Sequence, residues 1–231
     1  MKTIGIIGGM SWESSAVYYQ LLNREVQKRL GGVHSARIVL HSFDFDEMAA
    51  LQQSGRWDEA DVRMADAAAG LARAGAEFLL IACNTMHCST PAMERAVDLP
   101  LLHIADPLGA AIQRAGLRRI GLIGSRHTME QDGIIRGRLQ RRYSLDIVVP
   151  EGDDAAEASR VIYEELVRGQ FLESSRAACR GIVARLVARG SQGVILGCTE
   201  LPLLLKPEDA AVPLFDTTAL HAMAAVDLAL S

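Results

Sequence analysis

Gly75-Ala76-Glu77-Phe78-Leu79-Leu80-Ile81-Ala82-Cys83 combines a glycine turn, a short apolar run and a terminal cysteine. The chain repeats this pattern at Gly190-Ser191-Gln192-Gly193-Val194-Ile195-Leu196-Gly197-Cys198. A run this short, bounded by turn formers, suits a strand buried on both faces better than a helix. The segments on either side repeat as well. Ile4-Gly5-Ile6-Ile7-Gly8 is echoed by Ile120-Gly121-Leu122-Ile123-Gly124, and Leu99-Pro100-Leu101 by Val212-Pro213-Leu214. The offsets are 116, 115 and 113 residues, so one small unit occurs twice.

Outward from these runs, apolar segments alternate with longer amphipathic ones, which predicts an α/β protein with mainly parallel sheets. Strands are expected at Thr3–Ile7, Arg37–His41, Glu77–Ala82, Arg119–Ile123, Leu145–Val149, Gly193–Leu196 and Val212–Phe215. Helical patterns include Glu13–Arg29, Glu59–Ala74, Asp106–Ala115, Ala155–Arg168 and Ser174–Ala188. The expected organisation is two similar α/β domains related by pseudo-twofold symmetry, with the active site in the cleft between them. The first takes residues 1–115 with a C-terminal helix over about 217–231, and the second takes 116–216. Cys83 and Cys198 fall at equivalent positions, each just past a buried strand, where open α/β sheets bind ligands.

Composition excludes several classes. Lys and Arg number 24 against 28 Asp and Glu, interleaved without a basic stripe, so no nucleic-acid partner is expected. No apolar run approaches the roughly 20 residues that span a bilayer, and no signal-peptide pattern follows Met1, so a cytoplasmic protein without a membrane partner is expected. Four cysteines do not make a disulfide framework in such a chain.

Two symmetric thiols suit proton transfer at a carbon acid. One removes a proton from one face and the other delivers a proton to the opposite face, and either can begin as thiolate. A helix start beside a cysteine favours its thiolate, and catalysis works best when the group titrates near the operating pH. Asn84 and Thr85 follow the first cysteine, and Thr199 and Glu200 follow the second. Gly8-Gly9-Met10-Ser11-Trp12-Glu13-Ser14 follows a strand and opens a helix, offering backbone amides to a small anion.

With Cys83-Asn84-Thr85-Met86-His87, Gly197-Cys198-Thr199-Glu200-Leu201, Glu164-Glu165-Leu166 and Phe215-Asp216-Thr217, that opening loop resembles the aspartate/glutamate racemase family. These are amino-acid racemases that work with two cysteines, and the likeness runs over essentially the whole chain. The resemblance implies catalysis without pyridoxal phosphate or metal, an amino-acid substrate and a homodimer. It makes Cys83 and Cys198 the proton-transfer groups. Met10, Ser11, Asn84, Thr85, Thr128 and Thr199 would contact the amino-acid backbone, with Glu200 beside them. Family members acting on aspartate carry basic residues near Gln52 and Glu165. A neutral and an acidic residue there leave the substrate open between aspartate or glutamate and a broader or cationic set, the latter facing Glu165.

Other readings of these residues are weaker. Cys88 and Cys179 lack the repeat and read as packing. The Cys83, His87 and Cys88 spacing has no second ligand pair, so no metal site is expected. Gly5, Gly8 and Gly9 do not form G-x-G-x-x-G. Lys2, Lys28 and Lys206 are the only lysines, and none sits on a strand-end loop for a Schiff base. Glu151–Asp154 reads as a helix cap, and His34, His41, His103, His127 and His221 form no visible cluster. The alternatives are a hydantoin racemase or a related decarboxylase on the same fold, and an inactive amino-acid-binding protein.

Overall fold

The computed structural model describes residues 1–130 and 134–231, with Glu130 described by its backbone alone. The elements run β1 (Ile4–Gly8), α1 (Trp12–Leu30), β2 (Ile38–Ser42), α2 (Phe45–Gln53), α3 (Trp57–Arg73), β3 (Phe78–Ile81), a 3-10 turn at Thr85–Ser89 and α4 (Thr90–Ala96). They continue with α5 (Ala105–Arg114), β4 (Arg119–Gly124), α6 (Arg126–Glu130), α7 (Arg136–Tyr143), β5 (Asp146–Val148), α8 (Asp153–Arg160), a π-helical turn at Val161–Glu165 and a 3-10 turn at Leu166–Arg168. Last come α9 (Glu173–Ala188), β6 (Val194–Gly197), α10 (Leu201–Leu204), a 3-10 turn at Pro207–Asp209, β7 (Leu214–Asp216) and α11 (Thr217–Leu230). All seven expected strands are present. Among the described residues no helix is long and apolar enough to cross a membrane.

The chain divides into two compact units, Met1–Ile104 with His221–Ser231, and Ala105–Leu220. Their edges lie at 104/105 and 220/221, whereas the repeat alone put them at 115/116 and 216/217. Helix α5 goes with the second unit because Arg138 grips Asp106 through two nitrogens, at 2.8 and 2.7 Å, and Gly109 lies against the Tyr143 ring.

In the first unit the sheet order is β2-β1-β3, every pair parallel, with Ile4 opposite both Ile38 and Phe78. Alternation along the strands feeds two cores. Ile7, Leu79 and Ile81 pack with Met64, Ala67, Ala68 and Leu71 of α3. Ile4, Ile6, Phe78 and Leu80 pack with Tyr18, Leu22 and Val26 of α1 and with Ala222, Ala225, Val226 and Ala229 of α11. Each buried Leu or Ile contributes about 1.5–3 kcal/mol.

The second unit orders its sheet β5-β4-β6-β7, again parallel. Ile123, Val194 and Leu196 pack with Cys179, Ile182, Val183 and Leu186 of α9, and with Val161, Ile162 and Leu166 after α8. The two sheets share one strand order. The place that β7 takes beside β6 is held in the first unit by Leu101, which makes a single parallel bridge to Leu79. In both units a proline carbonyl begins that pairing, Pro100 to Leu79 N–H at 2.8 Å and Pro213 to Val194 N–H at 2.9 Å. The acidic stretch forms no side-chain cap on α8. Asp154 instead pairs with Arg185 and Glu151 with Arg189.

Candidate active site

In the first unit the candidate residues gather at the carboxyl ends of β1 and β3. The chain leaves β1 through Gly9, whose φ of 82° and close approach to the Phe43 backbone leave no room for a side chain. Ser11 then caps α1, accepting from Ser14 N–H at 3.5 Å. Ser15, one turn on, ties the loop back. Its hydroxyl accepts from Gly9 N–H at 2.8 Å and donates to Ser11 O at 3.1 Å. Met10 and Ser11 are buried here.

Cys83 lies two residues past β3 and is buried, as are Asn84 and Thr85. The Cys83 carbonyl is held by His87. Ile104 N–H donates to His87 Nε2 at 3.2 Å, so that nitrogen is unprotonated and Nδ1–H donates to Cys83 O at 2.9 Å. Burial first, then the imidazoles of His103 and His221, hold the His87 pKa well below the usual histidine value. The fold thus gathers three histidines that lie far apart in sequence, with ring centres 4.6 Å (His87–His103) and 5.8 Å (His87–His221) apart. Tyr18 donates to His221 Nδ1 at 2.9 Å, and His221 Nε2 donates to Leu102 O at 2.8 Å. Gln52, buried on α2, donates to Met86 Sδ at 3.2 Å and so joins the same segment.

In the second unit the candidate residues follow β4 and β6. Ser125 and Thr128 follow β4 with their hydroxyls 3.0 Å apart, and Thr128 is fully buried. Cys198 directly follows β6, where Gly197 and Gly124 pass so closely that a Cβ on Gly124 would lie 2.9 Å from Gly197 O. The Cys198 thiol donates to Glu200 Oε2 at 2.9 Å, and the Thr199 hydroxyl donates to the same oxygen at 2.9 Å. Thr217 fixes the strand end from β7's side, donating to Leu196 O at 2.9 Å.

Glu165 ends the π-helical turn, and both its oxygens are engaged. Arg160 donates to Oε1 at 2.7 Å and Ser175 to Oε2. The Ser175 hydrogen bond, then Arg160, hold its pKa below the ordinary carboxylate value against the opposing effect of burial.

None of the four cysteines is disulfide-bonded. Burial pushes the Cys88 thiol up to about 11 and the Cys179 thiol up to about 12, which makes both inert at neutral pH. Among the described residues no three His, Cys, Asp and Glu side chains are grouped as metal ligands. The sequence reading missed Ser15, Ser125, Thr217 and the histidine cluster. Thr217 meets Leu196 only once β6 and β7 pair, whereas Ser15 and Ser125 bond within their own loops, to Gly9 and Ser11 and to Thr128. Tandem Ser11 and Ser15 on a helix start was the one available signal.

The Asp/Glu/Hydantoin racemase family model matches residues 7–225. A solved structure from Yersinia pestis, assigned as an Asp/Glu racemase, is 48% identical with a TM-score of 0.92, and the match covers 100% of each chain. An aspartate racemase homologue from Pyrococcus horikoshii OT3 is 33% identical with a TM-score of 0.84, again over 100% of each chain. A glutamate racemase from Roseiflexus sp. (strain RS-1) is 29% identical over 73% of this chain, a stretch that spans only 60% of that relative's length. The family match takes in both cysteine loops, the Met10–Ser11 loop and the π-helical turn: the chain belongs to the Asp/Glu/Hydantoin racemase family.

Proposed function

We propose that this chain is an amino-acid racemase in which Cys83 and Cys198 are the two acid/base groups. The observation that carries the reading is the placement of the thiols. Each is buried at the carboxyl end of the equivalent strand, β3 or β6, in two sheets of the same order. An amino-acid α-proton is a weak acid, and inverting the centre requires a base on one face and an acid on the other. One cysteine accepts the α-proton as thiolate, and the other, as thiol, protonates the opposite face.

Met10, Ser11, Asn84, Thr85, Thr128 and Thr199 are proposed to hold the substrate's carboxylate and ammonium, since hydroxyl, amide and backbone N–H groups can do both. Preorganised donors of this kind also stabilise the charge that builds as the α-proton leaves. Gln52 and Glu165 are assigned to side-chain selection. Both Glu165 oxygens are already engaged, by Arg160 and Ser175, which leaves the carboxylate less available to a cationic substrate. Pyridoxal phosphate has no place in this scheme. A Schiff base needs a lysine, and Lys2, Lys28 and Lys206 hold to Ser231, Glu25 and Pro202. The proposed assembly is a homodimer.

The test is α-proton exchange on a panel of single L-amino acids in deuterium oxide, followed by proton NMR with chiral chromatography for the D-isomer. Exchange with D-isomer formation is expected, and Cys83→Ser and Cys198→Ser should each abolish racemisation while the circular dichroism spectrum stays native. Full racemisation by either variant removes that residue from the mechanism. No exchange on any member overturns the reading.

A further inference from the structure

The two cysteine loops are braced by different struts. In the second unit the Thr217 hydroxyl reaches Leu196 O at 2.9 Å, one residue before the end of β6. The position that matches Thr217 in the first unit, 113 residues earlier by the Leu99–Leu101 repeat, is Ile104, whose side chain carries no donor. An imidazole closes that gap. Ile104 N–H donates to His87 Nε2 at 3.2 Å, and His87 Nδ1–H donates to Cys83 O at 2.9 Å. The second loop has no counterpart of this ring. The residue 115 positions beyond His87 is Pro202, and the Cys198 carbonyl accepts from Leu201 N–H at 3.2 Å instead.

Several features suit His87 to bracing and not to acid/base work. Its one ring proton is committed to a carbonyl, so it serves neither thiol as a proton donor. Burial, with the His103 and His221 rings beside it, keeps the ring neutral, the only form that can accept from Ile104 and donate to Cys83 at once. The far end of the strut is anchored too. His221 Nε2–H holds Leu102 O at 2.8 Å, and Leu102 N–H holds Leu79 O at 2.9 Å, which ties the segment before Ile104 to β3, the strand that leads to Cys83. The carbonyl and the side chain of one residue share a Cα, so fixing the Cys83 C=O fixes the backbone from which its sulfur projects. Proton transfer demands accurate placement, and an error of about 1 Å can cost about a hundredfold.

We propose that His87 is a positioning residue, a neutral strut between Ile104 and the Cys83 carbonyl that holds the first thiol, and not the second, in its proton-transfer position. The inference rests on the racemase reading above. His87 touches no reacting atom in it, and the α-proton still moves only to and from the two sulfurs.

The experiment uses the full chain and the best amino acid of the panel, with kcat, KM and Tm measured for wild type, His87→Asn and His87→Leu. Asparagine carries an N–H close to the place of Nδ1, whereas leucine fills much of the ring's volume and donates nothing. His87→Asn is expected to keep kcat within about fivefold of wild type, and His87→Leu to lose about ten- to a hundredfold in kcat with KM within about threefold. A packing role predicts the reverse order, because asparagine leaves the larger void. His87→Leu at or above His87→Asn in kcat therefore overturns the proposal. Should His87→Leu not fold, His87→Gln takes its place under the same expectation, its N–H lying one methylene further out.

A second arm asks which thiol is affected. Removal of the α-proton from 3-chloroalanine expels chloride and leaves 2-aminoacrylate, which water converts to pyruvate and ammonia, so each enantiomer needs only the thiolate on its own side. The enantiomer that Cys198→Ser still consumes is the one facing Cys83. His87→Leu should slow elimination from that enantiomer about tenfold or more and leave the other within about threefold. Equal slowing of both overturns the proposal while the racemase reading stands. If wild type eliminates from neither enantiomer, the order of the Asn and Leu variants decides alone. If wild type racemises no amino acid, the racemase reading fails and takes the strut's role with it.

Discussion

Ile104 N–H donates into the His87 ring, and this bond decides which form the histidine can take. A protonated Nε2 cannot accept it, so His87⁺ would lose Ile104, and with it one restraint on the Cys83 carbonyl. Burial and the neighbouring imidazoles depress the folded-state pKa below the unfolded value. The unfolded chain therefore binds the proton first as pH falls. The His87 contribution to stability is complete above about pH 6.5 and is lost below it, at about 1.4 kcal/mol per pH unit until the folded state also protonates. Urea unfolding between pH 7.5 and 5.5 should show this slope in wild type and a shallower one in His87→Gln. An unchanged slope would assign the loss to another group.

Helix α8 illustrates at the level of elements what a sequence can disguise. The apolar spacing of Ala158, Val161, Ile162 and Leu166 reads as one helix over 155–168, and the side chains are buried as that reading requires. The backbone instead widens to a π-helical turn at Val161–Glu165 and tightens to a 3-10 turn at Leu166–Arg168. Widening adds a residue to the turn and brings Glu165 back to Arg160, five positions earlier. Hydrophobic period cannot report a change of hydrogen-bond partner. Because Ser175 and Arg160 lower the Glu165 pKa, its contribution is present above the ordinary carboxylate range and lost as pH falls through it. Glu165→Gln should cost about 1 kcal/mol at pH 7, a low figure since Arg160 is partly exposed. That deficit should shrink as pH falls below the ordinary carboxylate range in denaturant titrations; a deficit independent of pH would mean packing, not charge, was lost. The strands were legible because each is a short apolar run between turn formers, and the repeat marked both cysteines as a pair. Helix α7 gave no signal, since Arg136–Tyr143 is almost wholly polar and buries only Gly137 and Leu139. The histidine cluster was equally invisible, because the Thr85–Ser89 turn, the segment before α5 and helix α11 bring its members together only on folding.

Across the whole molecule, the duplicated strand order gives each unit a core that can be perturbed on its own. Met64 on α3 packs with Ile7, Leu79 and Ile81 in the first unit. Met64→Ala should cost about 2–5 kcal/mol. Hydrogen exchange should show lost protection in the amides of β1 and β3, with β4 and β6 as the internal comparison. Equal loss in all four strands would mean that the units open only together.

The segment from His221 onward, which returns to the first unit, sets a timetable. Ile4, Ile6, Phe78 and Leu80 leave the ribosome early, yet Ala222, Ala225, Val226 and Ala229, which complete their cover, emerge on the order of ten seconds later at ordinary synthesis rates. The nascent chain thus carries a half-clothed oily face while the entire second unit is being made. That interval is when a holding chaperone has something to grip.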